Sequence, residues 1–183
     1  MNRLSCVVLM MGACLFLGGS DVCASDGSEQ LFASANKSIN DASSAVENAR
    51  ISIEEGKKLL EKIPADSDLS AEVTEVISAI SKHWDVTVKA LATAEKTAPR
   101  ILKATKPGLA EDYKLLATIS AGVALSGAQV VQTGILFIDA VANNKTEALS
   151  IIRKALADAL SQSDQVDQNY DRAKKLIMQK YSK

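Results

Sequence analysis

The side chains that most often perform catalysis or bind metal ions are sparse in this sequence. His83 is the one histidine, and the three cysteines all lie within the first 23 residues. A di-metal site in a helical bundle needs Glu-x-x-His on two helices, which one histidine cannot supply. Haem ligation by His83 and Met178 is also disfavoured, because in the bundle inferred below they lie about 25 Å apart along the axis. We therefore expect no metal ion, no haem and no other cofactor.

Motifs for nucleophilic catalysis and phosphate binding are absent from the sequence as well. It has no Gly-x-Ser-x-Gly turn and no glycine-rich phosphate-binding loop. Carboxylate pairs such as Glu54-Glu55 are adjacent in sequence, so on a helix they point in different directions. His83 lies beside Trp84 in an apolar stripe, where a hydrogen-bonded core histidine is the ordinary role. The sequence predicts a protein that is not an enzyme.

The N-terminal residues have the pattern of a secretory signal peptide. Arg3 precedes an apolar run over 4–17, and Val22-Cys23-Ala24 suits a cleavage site. We predict that residues 1–24 are removed on export to the periplasm or the extracellular space. Residues 25–183 are then expected to form one domain, which is long enough to bury a sizeable core.

The alternative to cleavage is a lipoprotein anchored at Cys14. Leu15-Phe16-Leu17 continues the apolar run past this cysteine, which disfavours that alternative. The formal net charge of the chain is −1. Because nucleic-acid binding ordinarily requires a basic surface, we expect no nucleic acid as a partner.

Residues 25–183 carry the seven-residue periodicity of long packed helices. In the first segment, large apolar residues recur every seven positions, and small residues form a second series offset by three. The large residues are Phe32, Ile39, Val46, Ile53 and Leu60, and the small residues are Ala35, Ala42, Ala49 and Gly56. A series of small residues lets a neighbouring helix approach closely.

Similar series continue through three later segments. They predict four helices over approximately 27–63, 69–105, 109–142 and 146–181. Each is about 35 residues long, or roughly 50 Å. Short connections require successive helices to be antiparallel. The expected fold class is therefore all-α, an up-down-up-down four-helix bundle, with the second helix kinked near Pro99 because proline cannot donate a backbone hydrogen bond.

The third helix contains an uncharged stretch, Leu115–Ile138, that is long enough to span a bilayer. On a helical wheel Leu116, Val123 and Phe137 share one face, which favours a bundle helix over a membrane span. The opposite face is uncharged, although an exposed helix ordinarily carries Lys and Glu there. It comprises Thr118, Ala121, Leu125, Gln129, Gln132 and Leu136. Either the other helices enclose this face, or it contacts a second copy, another protein or lipid.

Basic residues collect near the ends of the second and fourth helices. They are Lys96, Arg100, Lys103, Lys106, Arg172, Lys174, Lys175 and Lys180. In an up-down-up-down bundle these two ends lie at one pole. The residues could complement the dipoles of the helices that end there, or they could bind an anionic surface.

These features favour an exported, non-enzymatic protein that acts in binding. Its partner is expected to be another protein or a second copy, contacted through the uncharged face of the third helix. The alternative is a membrane-active protein. It would insert Leu115–Ile138 into a bilayer, or it would bind anionic surfaces through the basic pole.

Overall fold

Four long helices make up most of the protein. The computed structural model describes residues 24–64, 66–106 and 108–181, and the predicted signal peptide with its three cysteines and the alternative anchor Cys14 lies outside these residues, apart from Ala24. The helices run over Ala24–Leu60 (α1), Ser70–Thr97 (α2), Leu109–Ala142 (α3) and Thr146–Tyr181 (α4). This arrangement confirms the predicted all-α four-helix bundle.

The second helix ends earlier than the periodicity predicts. α2 stops at Thr97 and is followed by a short 3₁₀ helix over Ala98–Arg100. Pro99 has no N–H to donate to the carbonyl of Glu95, so α-helical hydrogen bonding cannot continue through it. The chain therefore leaves the α-helix just before Pro99, instead of kinking there and continuing to about residue 105.

α3 is the central helix of the bundle. α1, α2 and α4 each pack along α3, whereas no Cα atom of α4 comes within 8 Å of α1 or α2. Glycines allow the closest approaches to α3. Gly127 and Gly134 of α3 lie against Thr87 and Ile80 of α2, and Gly56 of α1 lies against α3 in the same way.

The three neighbours of α3 leave one of its sides open. Successive residues on a helix are separated by about 100° around the axis. Gly134 faces α2, Ile135 faces Gly56 of α1, and Gly122 faces Val166 of α4. α2 therefore lies on the side between α1 and α4, and none of the described helices covers the opposite side.

The core has two clusters, one in each half of the bundle. One cluster combines Ile39 of α1, Ile101 after α2 and Ala117 of α3, which only antiparallel neighbours bring together. The other is built around Phe137 of α3. Both clusters, as formed by the described residues, lie between Leu31 and Tyr170 and thus within the predicted exported domain.

α2 and α4 are linked by side chains, with their backbones far apart. Arg153 of α4 donates hydrogen bonds to both carboxylate oxygens of Glu72 in α2, at 2.6 and 2.7 Å. Two recesses of about 300 Å³ each lie along this seam. The α2–α4 seam therefore contains open space beside these hydrogen bonds.

Candidate functional site

The open side of α3 carries exposed, uncharged side chains. Leu125, Gln129 and Leu136 of the predicted contact face are exposed, and Thr118 is half-buried. Leu115, which is exposed, and Gly122, which is half-buried, lie at the edge of this side that borders α4, where Val166 faces Gly122. The uncharged strip is defined here as Leu115, Thr118, Gly122, Leu125, Gln129 and Leu136. It runs along most of α3 on the side that its neighbours leave open.

Two members of the uncharged strip, Leu115 and Gly122, were not part of the predicted face. Together with Gln129 and Leu136 they recur every seven residues. This is the same spacing that marks the buried face of α3, so a second seven-residue series could have identified them. Side chains at this spacing form a seam that another helix can pack against.

Ala121 and Gln132 belong to the predicted face but do not lie on the open side. Ala121 is buried in the core cluster that includes Ile39, because α1 packs along this edge of α3. Gln132 is half-buried, and its Nε2 donates a hydrogen bond of 3.3 Å to the carbonyl of Ala45 in α1. These two residues therefore join α3 to α1.

A recess adjoins the uncharged strip near its C-terminal end. It lies between α1 and α3 and has a volume of about 300 Å³. Its lining combines apolar Leu59 and Leu136 with charged Glu55 and Asp139. The strip thus borders a space of mixed polarity that is large enough for a side chain of a bound protein.

The ends of α2 and α4 lie together beside the first turns of α3. The guanidinium carbon of Arg100 is 6.0 Å from the centre of the Tyr113 ring, and Lys180 Nζ is 2.6 Å from Asp112 Oδ2. All eight basic residues are exposed. The basic pole is defined as Lys96, Arg100, Lys103, Lys106, Arg172, Lys174, Lys175 and Lys180.

His83 is buried where α2, α3 and α4 meet. Its Nδ1 lies 3.2 Å from Oγ of Ser163 in α4, which is also buried. Burial lowers the pKa of His83, the charge of Lys82 lowers it further, and Asp167 and Asp164 of α4 oppose this shift. α3 contributes no charge at this level, because Leu115–Ile138 is uncharged. The pair is closed to solvent, so its evident role is to link α2 to α4.

The buried position of His83 predicts that acid destabilises the bundle. The unfolded chain takes up a proton near the ordinary pKa of 6.5, whereas the folded chain takes it up only at a lower pH. The free energy of unfolding is therefore expected to fall as the pH drops below about 6.5. Burial raises the pKa of Asp167, so protonation of that group acts in the opposite direction at lower pH. Urea unfolding at several values between about pH 7 and pH 5 measures the effect.

The control for this prediction is His83→Gln, which removes the titrating group and keeps a side chain able to bond Ser163. Since His83 is the one histidine in the chain, the variant should lose most of the pH dependence in this range. A slope that is unchanged in His83→Gln would show that another group is responsible.

Within residues 24–181, excluding 65 and 107, no group of three or more His, Cys, Asp or Glu side chains is arranged to hold a metal ion. In the same part of the chain, α3 is the one helix long and apolar enough to cross a membrane, and 67% of its most apolar window is buried inside the bundle.

Three features of the bundle bear on its function: the uncharged strip, the basic pole and the His83–Ser163 pair. Comparison of the chain with protein families, with curated proteins and with solved structures gives no match.

Proposed function

We propose that this chain is an exported, non-enzymatic binding protein that holds an amphipathic helix against the uncharged strip. The observation that carries the proposal is the open side of α3. Leu115, Leu125 and Leu136 are exposed there, and no charged residue lies between Lys114 and Asp139. A helix side that exposes three leucines and no charge along most of its length is typical of an interaction site. Export is supported by the signal-peptide pattern of residues 1–24.

The spacing within the uncharged strip favours a helix as the bound element. Leu115, Gly122, Gln129 and Leu136 form one seven-residue series, and Thr118 with Leu125 forms the offset series. A helix whose apolar residues repeat at the same spacing would interdigitate with these positions. The absence of charge on the strip requires an uncharged contact face on the partner.

Such a helix can come from another protein or from α3 of a second copy. Light scattering of residues 25–183 at micromolar concentrations separates the two sources. A concentration-dependent dimer is expected for self-association, and Leu125→Glu together with Leu136→Glu should abolish it. A strict monomer would remove the second copy as the source and leave a helix of another protein.

The main test is capture of the partner from the exported fraction of the native cell. A photo-reactive residue at position 125 is expected to cross-link to a peptide that forms an amphipathic helix. Leu125→Glu with Leu136→Glu should weaken capture at least about tenfold, because each glutamate would place a charge in an apolar contact. Capture that survives both substitutions would contradict the proposal.

The matched control is Val86→Glu with Val88→Glu on α2, the helix on the opposite side of α3. These side chains are 36% and 45% exposed, compared with 36% and 51% for Leu125 and Leu136. The control variant adds the same charge at similar exposure, so it should retain capture. Equal loss in both double variants would indicate a general effect of charge and would count against the uncharged strip.

Insertion of Leu115–Ile138 into a bilayer is the competing function. It requires α3 to leave α1, α2 and α4 and to expose both core clusters. The burial of most of the apolar window inside the bundle supports binding through the uncharged strip over insertion.

A further inference from the structure

The basic pole is not explained by helix dipoles alone. A helix dipole favours cations within about the last turn of a helix. Only Lys96 of α2, Arg100 of the 3₁₀ helix and Lys180 of α4 lie in a last turn. Lys103 and Lys106 follow the helix ends, and the remaining basic residues of α4 precede its last turn. A cause beyond helix capping is therefore needed for most of the basic pole.

Acidic residues at this end do not neutralise the basic pole. Residues 24–37, 93–114 and 170–181, which lie at this end, carry ten basic and six acidic side chains. Asp112 is already engaged, because Lys180 Nζ and Tyr181 Oη each lie 2.6 Å from its Oδ2. The other basic side chains of the pole remain exposed to solvent with positive charge in excess.

Exposed apolar side chains are interleaved with these charges. Leu176 and Met178 are 67% and 64% exposed, and they lie between Lys175 and Lys180 in the sequence of α4. Leu102 is exposed beside Lys103 at the same pole. In a surface that met only water or a soluble polyanion, these apolar groups would have no favourable contact. Mixed Lys, Arg and large apolar side chains are the composition of surfaces that bind at the membrane interface.

The chain also enters the bundle at this pole. The first residues of α1, such as Phe32, pack with Ile101 and Tyr113 in the core cluster of this half. The N-terminal end of the predicted exported domain therefore lies at the basic pole.

We propose that the basic pole docks on the surface of an anionic phospholipid bilayer. The lysine and arginine side chains lie at the level of the anionic headgroups, and Leu102, Leu176 and Met178 enter the boundary of the acyl chains. The helices stay packed. One end of the bundle contacts the bilayer, and the long axis of the bundle points away from the membrane plane. This docking uses a different surface from the uncharged strip, so either proposal can fail without the other.

The test is flotation of residues 25–183 with phosphatidylglycerol-containing vesicles and with purely zwitterionic vesicles. Binding to the anionic vesicles alone is expected, with release when the salt concentration rises from about 0.05 M to 0.5 M. Lys96→Glu, Lys103→Glu and Lys175→Glu together should weaken binding about a hundredfold. Lys58→Glu, Lys62→Glu and Lys154→Glu, exposed at the other end of the bundle, should leave binding nearly unchanged.

A second pair of variants tests the contribution of the exposed apolar side chains to vesicle binding. Leu102→Ser with Leu176→Ser should weaken binding at least about tenfold, because two exposed apolar side chains that would enter the acyl-chain boundary are lost. The control is Ile51→Ser with Ile151→Ser in the other half of the bundle, where the exposures of 46% and 72% resemble the 47% and 67% of Leu102 and Leu176. Circular dichroism should report the same helicity for all variants.

Several outcomes would overturn this proposal. No flotation with anionic vesicles at low salt would do so, as would equal loss in the control variants. Binding to a soluble polyanion such as heparin without binding to vesicles would assign the pole to polysaccharide. Vesicle binding that persists at high salt and in the basic-pole variant would favour insertion of α3. The variant Leu125→Glu with Leu136→Glu should still float with the anionic vesicles. If this variant failed to float, the contact with the bilayer would lie on the uncharged strip.

Discussion

Phe137→Ala is expected to lower the free energy of unfolding by about 4 kcal/mol, whereas Leu136→Ala should lower it by less than about 1 kcal/mol. The two side chains are neighbours in sequence on α3. Phe137 is fully buried in one of the two core clusters, so truncation leaves a cavity. Leu136 is half exposed on the uncharged strip, so it loses little contact.

Urea unfolding of residues 25–183 measures both changes, with an unchanged dependence on urea showing that two-state behaviour is retained. Because the substitutions occupy adjacent positions on one helix, they form a direct test of its orientation. Similar losses in the two variants would mean that Leu136 is covered. The assignment of an open side to α3, and of the uncharged strip to that side, would then be wrong.

Gly127→Ala is expected to destabilise the bundle by about 2 kcal/mol. A methyl group at this position would overlap Oγ1 of Thr87 and would lie 3.3 Å from the backbone oxygen of His83. Thr87 is fully buried, so it has little room to move. Because the overlap is with a fully buried side chain, we expect a cost near the upper end of the roughly 1–3 kcal/mol typical of overpacking, and the roughly 1 kcal/mol that alanine gains over glycine in a helix then leaves a net loss of about 2 kcal/mol.

Gly122→Ala is the matched control, and its effect should have the opposite sign. The added methyl group would lie 3.9 Å from Cγ1 of Val166, which is an ordinary van der Waals contact. The higher helix propensity of alanine should then stabilise the bundle by about 0.5–1 kcal/mol. The difference between the two unfolding free energies measures how closely α2 approaches α3. If both variants gained stability, the approach at Gly127 would be looser than described.

The helices and their directions could be predicted from sequence because each helix repeats the same seven-residue pattern. Val130 and Phe137 are buried as their series predicts. Short connections then required successive helices to be antiparallel, and these directions bring the ends of α2 and α4 to one pole. The break before Pro99 was harder to place, since proline permits either a kinked helix or a new start.

The position of α3 at the centre could not be predicted from periodicity. A seven-residue series says which side chains share a face, and it does not say whether another helix covers that face. Leu115, Gly122 and Leu136 repeat as regularly as the buried series, although they lie on the open side. Ala121 and Leu125 are only about 40° apart on a helical wheel. One is buried by α1 and the other is exposed, and this difference depends on where α1 crosses.

The pairing of His83 with Ser163 also lay beyond sequence analysis. α2 and α4 are parallel and far apart along the chain, so the height at which they meet depends on the loops and on the packing of each helix against α3. The composition gave only the expectation of a hydrogen-bonded core histidine. Its partner becomes visible once the register of both helices against α3 is known.

The attachment of α4 has a consequence for how the bundle opens. Among the described helices, the backbone of α4 comes within 8 Å of α3 alone, and side-chain hydrogen bonds at Glu72–Arg153 and His83–Ser163 help to join it to α2. α4 can therefore swing away as a unit at a lower free energy than global unfolding, while α1, α2 and α3 stay together. Amide protons in α4 would then exchange with solvent before those of α3, and the bundle would behave as a three-helix body with a detachable fourth helix.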